Sequence, residues 1–247
     1  MKIKFGFYAL IIIFLLPACR TITQSAAKID LSPSLVYLSF DDGPNAYSDT
    51  TACLLDILKK YQVQALFCLL GENAEHSPEL VRRIHDEGHY IINHGYADKW
   101  ASKMTDDEFS DNLIRGEEAI SAALGAKIDP LLYRPHGGFY HSRQEALYGA
   151  IGYTLVPASI RVHDAVLDGT KRRRVLRQII RKVESQNGGL ILLHDMRGSY
   201  CNAEKELEKK PDGAFNRSWI PDLVDELIPL LQDRGFIISS PAQLYKK

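Results

Sequence analysis

Cysteine is scarce in this sequence, and what there is follows no metal-binding pattern. Four cysteines stand among 247 residues, none in a CxxC pair, which excludes a zinc-finger reading. Glycine and proline, 17 and 11 residues, are too few for a low-complexity chain. Neither sign of charge dominates: the formal net charge is −1, which gives no support to a nucleic-acid partner. No GxGxxG follows the first strand-like run, so a dinucleotide-binding sheet has no support. The apolar run Phe5 to Leu16 falls short of the roughly 20 residues that a bilayer-spanning helix needs. What remains is an ordinary globular composition, 45% hydrophobic and 25% charged, of a length that fits one large α/β domain.

The first residues differ in kind from the rest. Lys2 and Lys4 precede the apolar run, which ends in Leu16-Pro17-Ala18-Cys19. A basic start with a short apolar core reads as a secretory signal. Ala18-Cys19 resembles the lipobox of bacterial lipoproteins, although Pro17 departs from its usual form. The resemblance implies a signal over residues 1–18, a lipid anchor on Cys19 and a place in the bacterial envelope. Soluble secretion and an uncleaved anchor are the alternatives. Residues 19–34 are small, polar and unpatterned and read as a tether, leaving 35–247 as the folded domain. Cys53 and Cys68 lie in apolar patterns and are expected to be buried; a disulfide between them is left open.

From Leu35 onward, strand-like runs alternate with helical patterns. The strands are expected at Leu35–Phe40, Ala65–Leu70, His89–Asn93, Leu131–Arg134, Tyr153–Pro157, Gly189–Leu193 and Gly235–Ser239. Helices are expected at Thr50–Tyr61, Pro78–Glu87, Thr105–Leu124, Ser142–Ala150, Thr170–Gln186 and Trp219–Arg234. Such alternation implies parallel strands covered by helices, and about seven units predict a barrel-like closure. Chemistry in such folds gathers at the C-terminal ends of strands. Five polar clusters fall there: Asp41-Asp42, Asn93 to Asp98, Arg134 to Gly138, Ser159 to Asp164, and His194-Asp195. Neighbouring residues on a strand face opposite ways, so Asp41 and Asp42 are expected to do different jobs, one binding a cation and the other taking a proton.

Phe40-Asp41-Asp42-Gly43-Pro44, the cluster around His94, Arg134-Pro135-His136-Gly137-Gly138, Asp164 and Leu192-Leu193-His194-Asp195 occur in one order. That order resembles the polysaccharide deacetylase family, the NodB-homology carbohydrate esterases, over roughly Leu35 to Leu244. The resemblance implies a single-domain α/β fold of the distorted (β/α)7-barrel type. It also implies a metal-dependent hydrolase that removes N-acetyl groups from an N-acetylated envelope or extracellular glycan. Asp41 would be the catalytic base and Arg134 would orient it. His194 would be the acid, with Asp164 holding it protonated, and the Gly137 backbone N–H would face the developing oxyanion. Asp42 and His94 would bind a divalent metal ion, zinc first, with manganese, iron or cobalt as alternatives.

Departures from the family pattern are specific. The usual second histidine of the His-Ser/Thr-x-x-His motif is replaced by Asp98, which is expected as the third ligand. His136 and Gly137 stand where Pro and Tyr are common, and His136 is read as either a site residue or a structural histidine. Ala165 stands where a Trp is frequent and Arg161 where another Asp is, which suggests a pocket with fewer aromatic stacking surfaces. Two stretches remain: the basic helix Lys171 to Lys182, a solvated face or a contact for anionic polymer, and the long segment Arg197 to Arg217, a lid or a surface excursion with a short helix. The competing class is a non-catalytic glycan-binding lipoprotein whose metal site has decayed. Another amide or ester of a sugar is a further alternative substrate.

Overall fold

The computed structural model describes residues 19–21 and 34–245. The expected signal, most of the expected tether and the side chain of Cys19 lie outside the described residues. Among the described residues no helix is long and apolar enough to cross a membrane.

In chain order the elements are β1 (Cys19–Thr21), β2 (Leu35–Asp41), α1 (Thr50–Lys60), β3 (Leu66–Leu69), α2 (Gly71–His76), α3 (Pro78–Asp86), β4 (Tyr90–Asn93) and α4 (Asp106–Leu124). There follow β5 (Leu132–Tyr133), β6 (Phe139–His141), α5 (Ser142–Ala150), β7 (Thr154–Leu155), β8 (Ile160–Arg161), α6 (Arg172–Gln186), β9 (Gly189–His194), α7 (Tyr200–Lys209), α8 (Trp219–Gln232) and β10 (Ile237–Ile238). All six expected helices form. The start of α4 shows why: Thr105 accepts from the Glu108 N–H while the Glu108 side chain reaches back to the Thr105 N–H, which satisfies two donors that the first turn would otherwise leave open.

Seven parallel strands run in the order β7-β5-β4-β3-β2-β9-β8, and β10 pairs with the start of β2. The result is a single α/β domain whose sheet curls into a half-barrel, as expected. It stays open between β7 and β8. Only residues 156–159 join those two strands, and side-by-side parallel strands need a crossover of a dozen or more residues. The short strand β8 was not expected; it pairs with β9 through Ile160 and Arg161.

Side-chain alternation divides the strands between two environments. On β2, Val36, Leu38 and Phe40 join the large apolar layer under the helices. Tyr37 joins Leu66, Cys68, Ile92, Leu132, Val156 and Leu190 inside the curl, capped by Leu244. The same parity aims Ser39 and Asp41 inward. On β9, Ile191 and Leu193 go out to the helices, and His194 follows Leu190 and Leu192 inward.

One expectation needs correction. Cys53 is exposed on α1, off the stripe of Thr51, Leu54, Leu55 and Leu58 that meets the core. Cys68 is buried as expected, and both thiols are free, so no disulfide joins them. On α6 the buried stripe is Val175, Leu176, Ile179, Ile180 and Val183, and Arg173, Arg174, Arg177, Arg181 and Lys182 face solvent.

Candidate active site

β2 ends on Asp41, and the chain then turns through Asp42 at φ 70. That left-handed conformation is rare for a residue with a side chain, and it undoes the expected opposition of the two carboxylates. Both now lie within reach of His94: its Nε2 is 3.4 Å from Asp42 Oδ1 and 3.8 Å from Asp41 Oδ2. The turn is held from outside. Asn73 Nδ2 donates to the Asp42 carbonyl at 2.7 Å, and the Gly198 N–H donates to Asp42 Oδ2 at 2.9 Å.

Asp41 accepts from Arg134 Nη1 at 2.5 Å. Arg134 is fully buried and also donates to Ser39 Oγ and the Val156 carbonyl, at 2.9 and 3.0 Å. Burial alone would raise the Asp41 pKa. The charges of Arg134, His94 and His194 outweigh it and hold the carboxyl below its ordinary value. Asp41 is therefore ionised at neutral pH.

Three ligand atoms converge beside it. Asp42, His94 and His136 each offer one atom to a group whose members all lie within 4.8 Å of one another. His94 Nδ1 donates to the Arg134 carbonyl at 2.6 Å, leaving Nε2 toward Asp42. His136 Nε2 meets Asp98 Oδ1 at 2.9 Å, leaving Nδ1 3.4 Å from Asp42 Oδ1. That Nδ1 is buried without a hydrogen-bond partner. An orphaned imidazole nitrogen aimed at a carboxylate and a second imidazole fits a cation. Without one, Asp42 and Asp98 overcome burial and push His136 up to about 10.

Asp98 is not among the three converging residues, contrary to the expectation for the third ligand. It stands behind His136 and accepts from Asn202 Nδ2 at 3.1 Å. The fourth residue after His94 falls in a bend held by Asn112 rather than on a helical turn, so the spacing that would aim it at the cation is lost.

His194 ends β9, with Nδ1 3.0 Å from Asp164 Oδ1 and its N–H donating to Asp164 Oδ2 at 2.9 Å. Burial works against its charge, but Asp164, then Asp42 and Asp41, raise the pKa to about 9. Arg217 donates from Nη2 to Asp164 Oδ2 at 2.6 Å and from Nε to the His194 carbonyl at 3.1 Å. The sequence reading marked Arg217 only as the end of a long segment; an arginine distant in the chain carries no local signal of such a partner. Next to it, Asp195 is a buried structural carboxyl that accepts from Thr51 Oγ1 at 2.5 Å. A Cβ on Gly43 would come within 2.8 Å of it.

These groups open on a cavity of about 570 Å³. Three aromatics, Trp100, Phe139 and Phe215, line it, together with Gly137, Ala165 and Arg161. The long segment after β9 thus contributes Arg197, Gly198 and Phe215 to the pocket and forms α7 beyond it. Trp100 packs against Gly137, where a Cβ would come 2.7 Å from the indole. Trp100 and Phe215 come from positions outside the family motifs, and Phe139 directly follows one of them.

The Polysaccharide deacetylase family model matches residues 28–156. The chain is similar to a peptidoglycan-N-acetylglucosamine deacetylase of Bacillus cereus, 30% identical over 81% of this chain and 64% of that protein. It is also similar to a chitooligosaccharide deacetylase of Bradyrhizobium, 30% identical over 85% of this chain and 90% of that one. Among solved structures it resembles a peptidoglycan N-acetylglucosamine deacetylase in complex with 4-naphthalen-1-yl-N-oxidanyl-benzamide. The TM-score is 0.71, with 29% identity over 87% of this chain and 90% of the other. The chain belongs to the polysaccharide deacetylase family, hydrolases that act on carbon–nitrogen bonds outside peptides.

Proposed function

We propose that the chain is a metal-dependent N-deacetylase of an N-acetylated glycan in the bacterial envelope, such as peptidoglycan or an exopolysaccharide. The observation that carries this reading is that two oppositely partnered groups share one pocket, Asp41 on Arg134 at 2.5 Å and His194 on Asp164 at 3.0 Å. Asp41 is held ionised by Arg134, and His194 is held protonated by Asp164. Amide hydrolysis needs a base for the incoming water and an acid for the departing amine.

Asp41 is the base and takes a proton from the attacking water, with Arg134 fixing its orientation. His194 then donates from Nε2 to the leaving amine, because its Nδ1 is turned to Asp164. Arg217 anchors Asp164 from behind. The Gly137 peptide, on the pocket wall, is the donor proposed for the developing negative charge. Asp42, His94 and His136 would hold the divalent ion. When bound, it would supply a water of lowered pKa and a positive charge toward the acyl oxygen. Two imidazoles and one carboxylate favour zinc more than the set with Asp98 would, with manganese, iron and cobalt as alternatives. In this reading Asp98 fixes the ring of His136 in the manner of a carboxylate behind a metal-bound histidine. A lipid anchor on Cys19 would keep the domain near its polymer; that proposal rests on the sequence pattern.

Purified protein with added divalent metal is expected to release acetate from N-acetylglucosamine oligomers. Asp41→Asn should slow release by roughly 10²–10⁴-fold, the range for loss of a general base, while leaving oligomer binding intact. Wild-type protein that neither releases acetate nor binds metal would sink the reading.

A further inference from the structure

Two arginines on the pocket wall stand without a paired carboxylate among the described residues. Arg161, at the end of β8, lines the cavity, and its Nε and Nη2 atoms are buried without a hydrogen-bond partner among the described residues. The strongest charge near it is another cation, Arg134, and only then Asp41. Arg197 lies with its guanidinium carbon 4.4 Å from the centroid of the Phe215 ring. Among the described residues neither arginine makes a salt bridge. The pocket's three carboxylates are already engaged: Asp41 with Arg134, Asp98 with His136, and Asp42 with both histidines. Behind them, Asp164 is likewise engaged, shared between His194 and Arg217.

A buried donor left unpaired destabilises a fold, the more so when it is charged. Arg161 therefore favours a state in which something else completes it. Gly138 leaves the way open: a Cβ there would sit 3.2 Å from Arg161 Nη1, so any side chain at that position would press against the guanidinium. The planar guanidinium matches a carboxylate in a bidentate pair, and sugar hydroxyls alone would leave its charge unanswered. We propose that Arg161, supported by Arg197, is a carboxylate-binding subsite, and that the glycan this chain acts on is acidic. The inference rests on the function proposed above and narrows its substrate class. The carboxylate sits on the sugar that loses its acyl group or on its neighbour. It could belong to a lactyl ether, as on muramic acid, or to a uronic acid.

The test compares acetate release from three oligosaccharides of equal length. One is N-acetylglucosamine only, one alternates N-acetylglucosamine with N-acetylmuramic acid, and one alternates it with glucuronic acid. The wild type is expected to prefer one acidic substrate, which identifies the source of the carboxylate. Arg161→Gln should cut the ratio of acidic to neutral kcat/KM by about 10-fold or more, mainly through KM. Arg161→Lys should restore part of it, and Arg197→Gln should lower the ratio less. If Arg161→Gln instead lowers all three substrates in parallel through kcat, Arg161 acts by tuning Asp41 and the subsite is refuted. Equal wild-type rates on all three substrates refute it as well. Should the wild type release no acetate at all, calorimetric binding of the same oligosaccharides separates the two claims. Tighter acidic binding that Arg161→Gln abolishes upholds the subsite even as the catalytic reading falls, and equal binding overturns both.

Discussion

At the scale of single residues, the proposed acid, His194, is the group whose chemistry is easiest to move. Asp164 is what holds His194 near a pKa of about 9 against burial. Asp164→Asn removes that charge, so the alkaline limb of the kcat/KM profile should shift to lower pH by more than a unit. An unmoved limb would mean that His194 is not the acid. The same pair has a stability signature. The folded pKa of His194 lies above its ordinary 6.5, so its contribution is fully present below about 6.5 and is lost as pH rises through about 9. The wild type should therefore lose more stability than Asp164→Asn between pH 6 and pH 9. Five residues, Asp41, Asp42, His94, Arg134 and His194, line one pocket, and Asp164 is buried behind His194; the sequence carried all six. It did not carry the backbone conformation of Asp42, which strand alternation predicts wrongly because the strand stops one residue earlier. Nor could it single out His136, whose significance depends on distances to Asp42 and Asp98 that no spacing encodes.

At the scale of elements, the site depends on how closely α4 approaches the end of β4. Gly116 sits at that approach: a Cβ there would lie 2.6 Å from Asn93 Oδ1 and 2.8 Å from the Gly95 carbonyl carbon. Those residues flank His94. Asn93 ties the region together by donating to the Leu113 carbonyl and accepting from the Gly95 N–H. Gly116→Ala should destabilise the domain by about 1–3 kcal/mol, the range for overpacking a filled interface. It should also weaken metal binding, because His94 moves with the loop. Denaturant unfolding checks the first effect and metal titration the second; a variant as stable as wild type would mean that α4 yields freely. Long amphipathic helices such as α4 and α6 were legible because burial repeats along them. The strands β7 and β8 are only two residues each, so the first was overextended in the sequence reading and the second missed. α2 begins directly after β3 with a run, Gly-Glu-Asn-Ala-Glu-His, whose buried Asn73 serves the Asp42 turn instead of a hydrophobic stripe.

At the scale of the whole molecule, the proposed metal joins three distant parts of the chain. Asp42 follows β2, His94 follows β4 and His136 follows β5. Strand order decides this: β4 and β2 flank β3, and β5 lies beyond β4. That order was not written in the sequence, where the same alternation of strands and helices permits several arrangements. A cation that bridges the three segments binds only the folded chain and so stabilises it by mass action. At 100 times its dissociation constant it contributes about 2.7 kcal/mol, which for a chain of this length is a rise in Tm of roughly 5–10 °C. Chelation should lower Tm by that amount, and adding zinc back should restore it. The variants then distinguish ligand from support. His136→Gln should bind little metal and show almost no chelator effect. Asp98→Asn keeps the ligand but loosens its ring, so affinity should fall by about 10–100-fold and the Tm rise should return at higher zinc. Were His136→Gln to keep full metal content while Asp98→Asn lost it, the carboxylate would be the ligand after all and the imidazole its support.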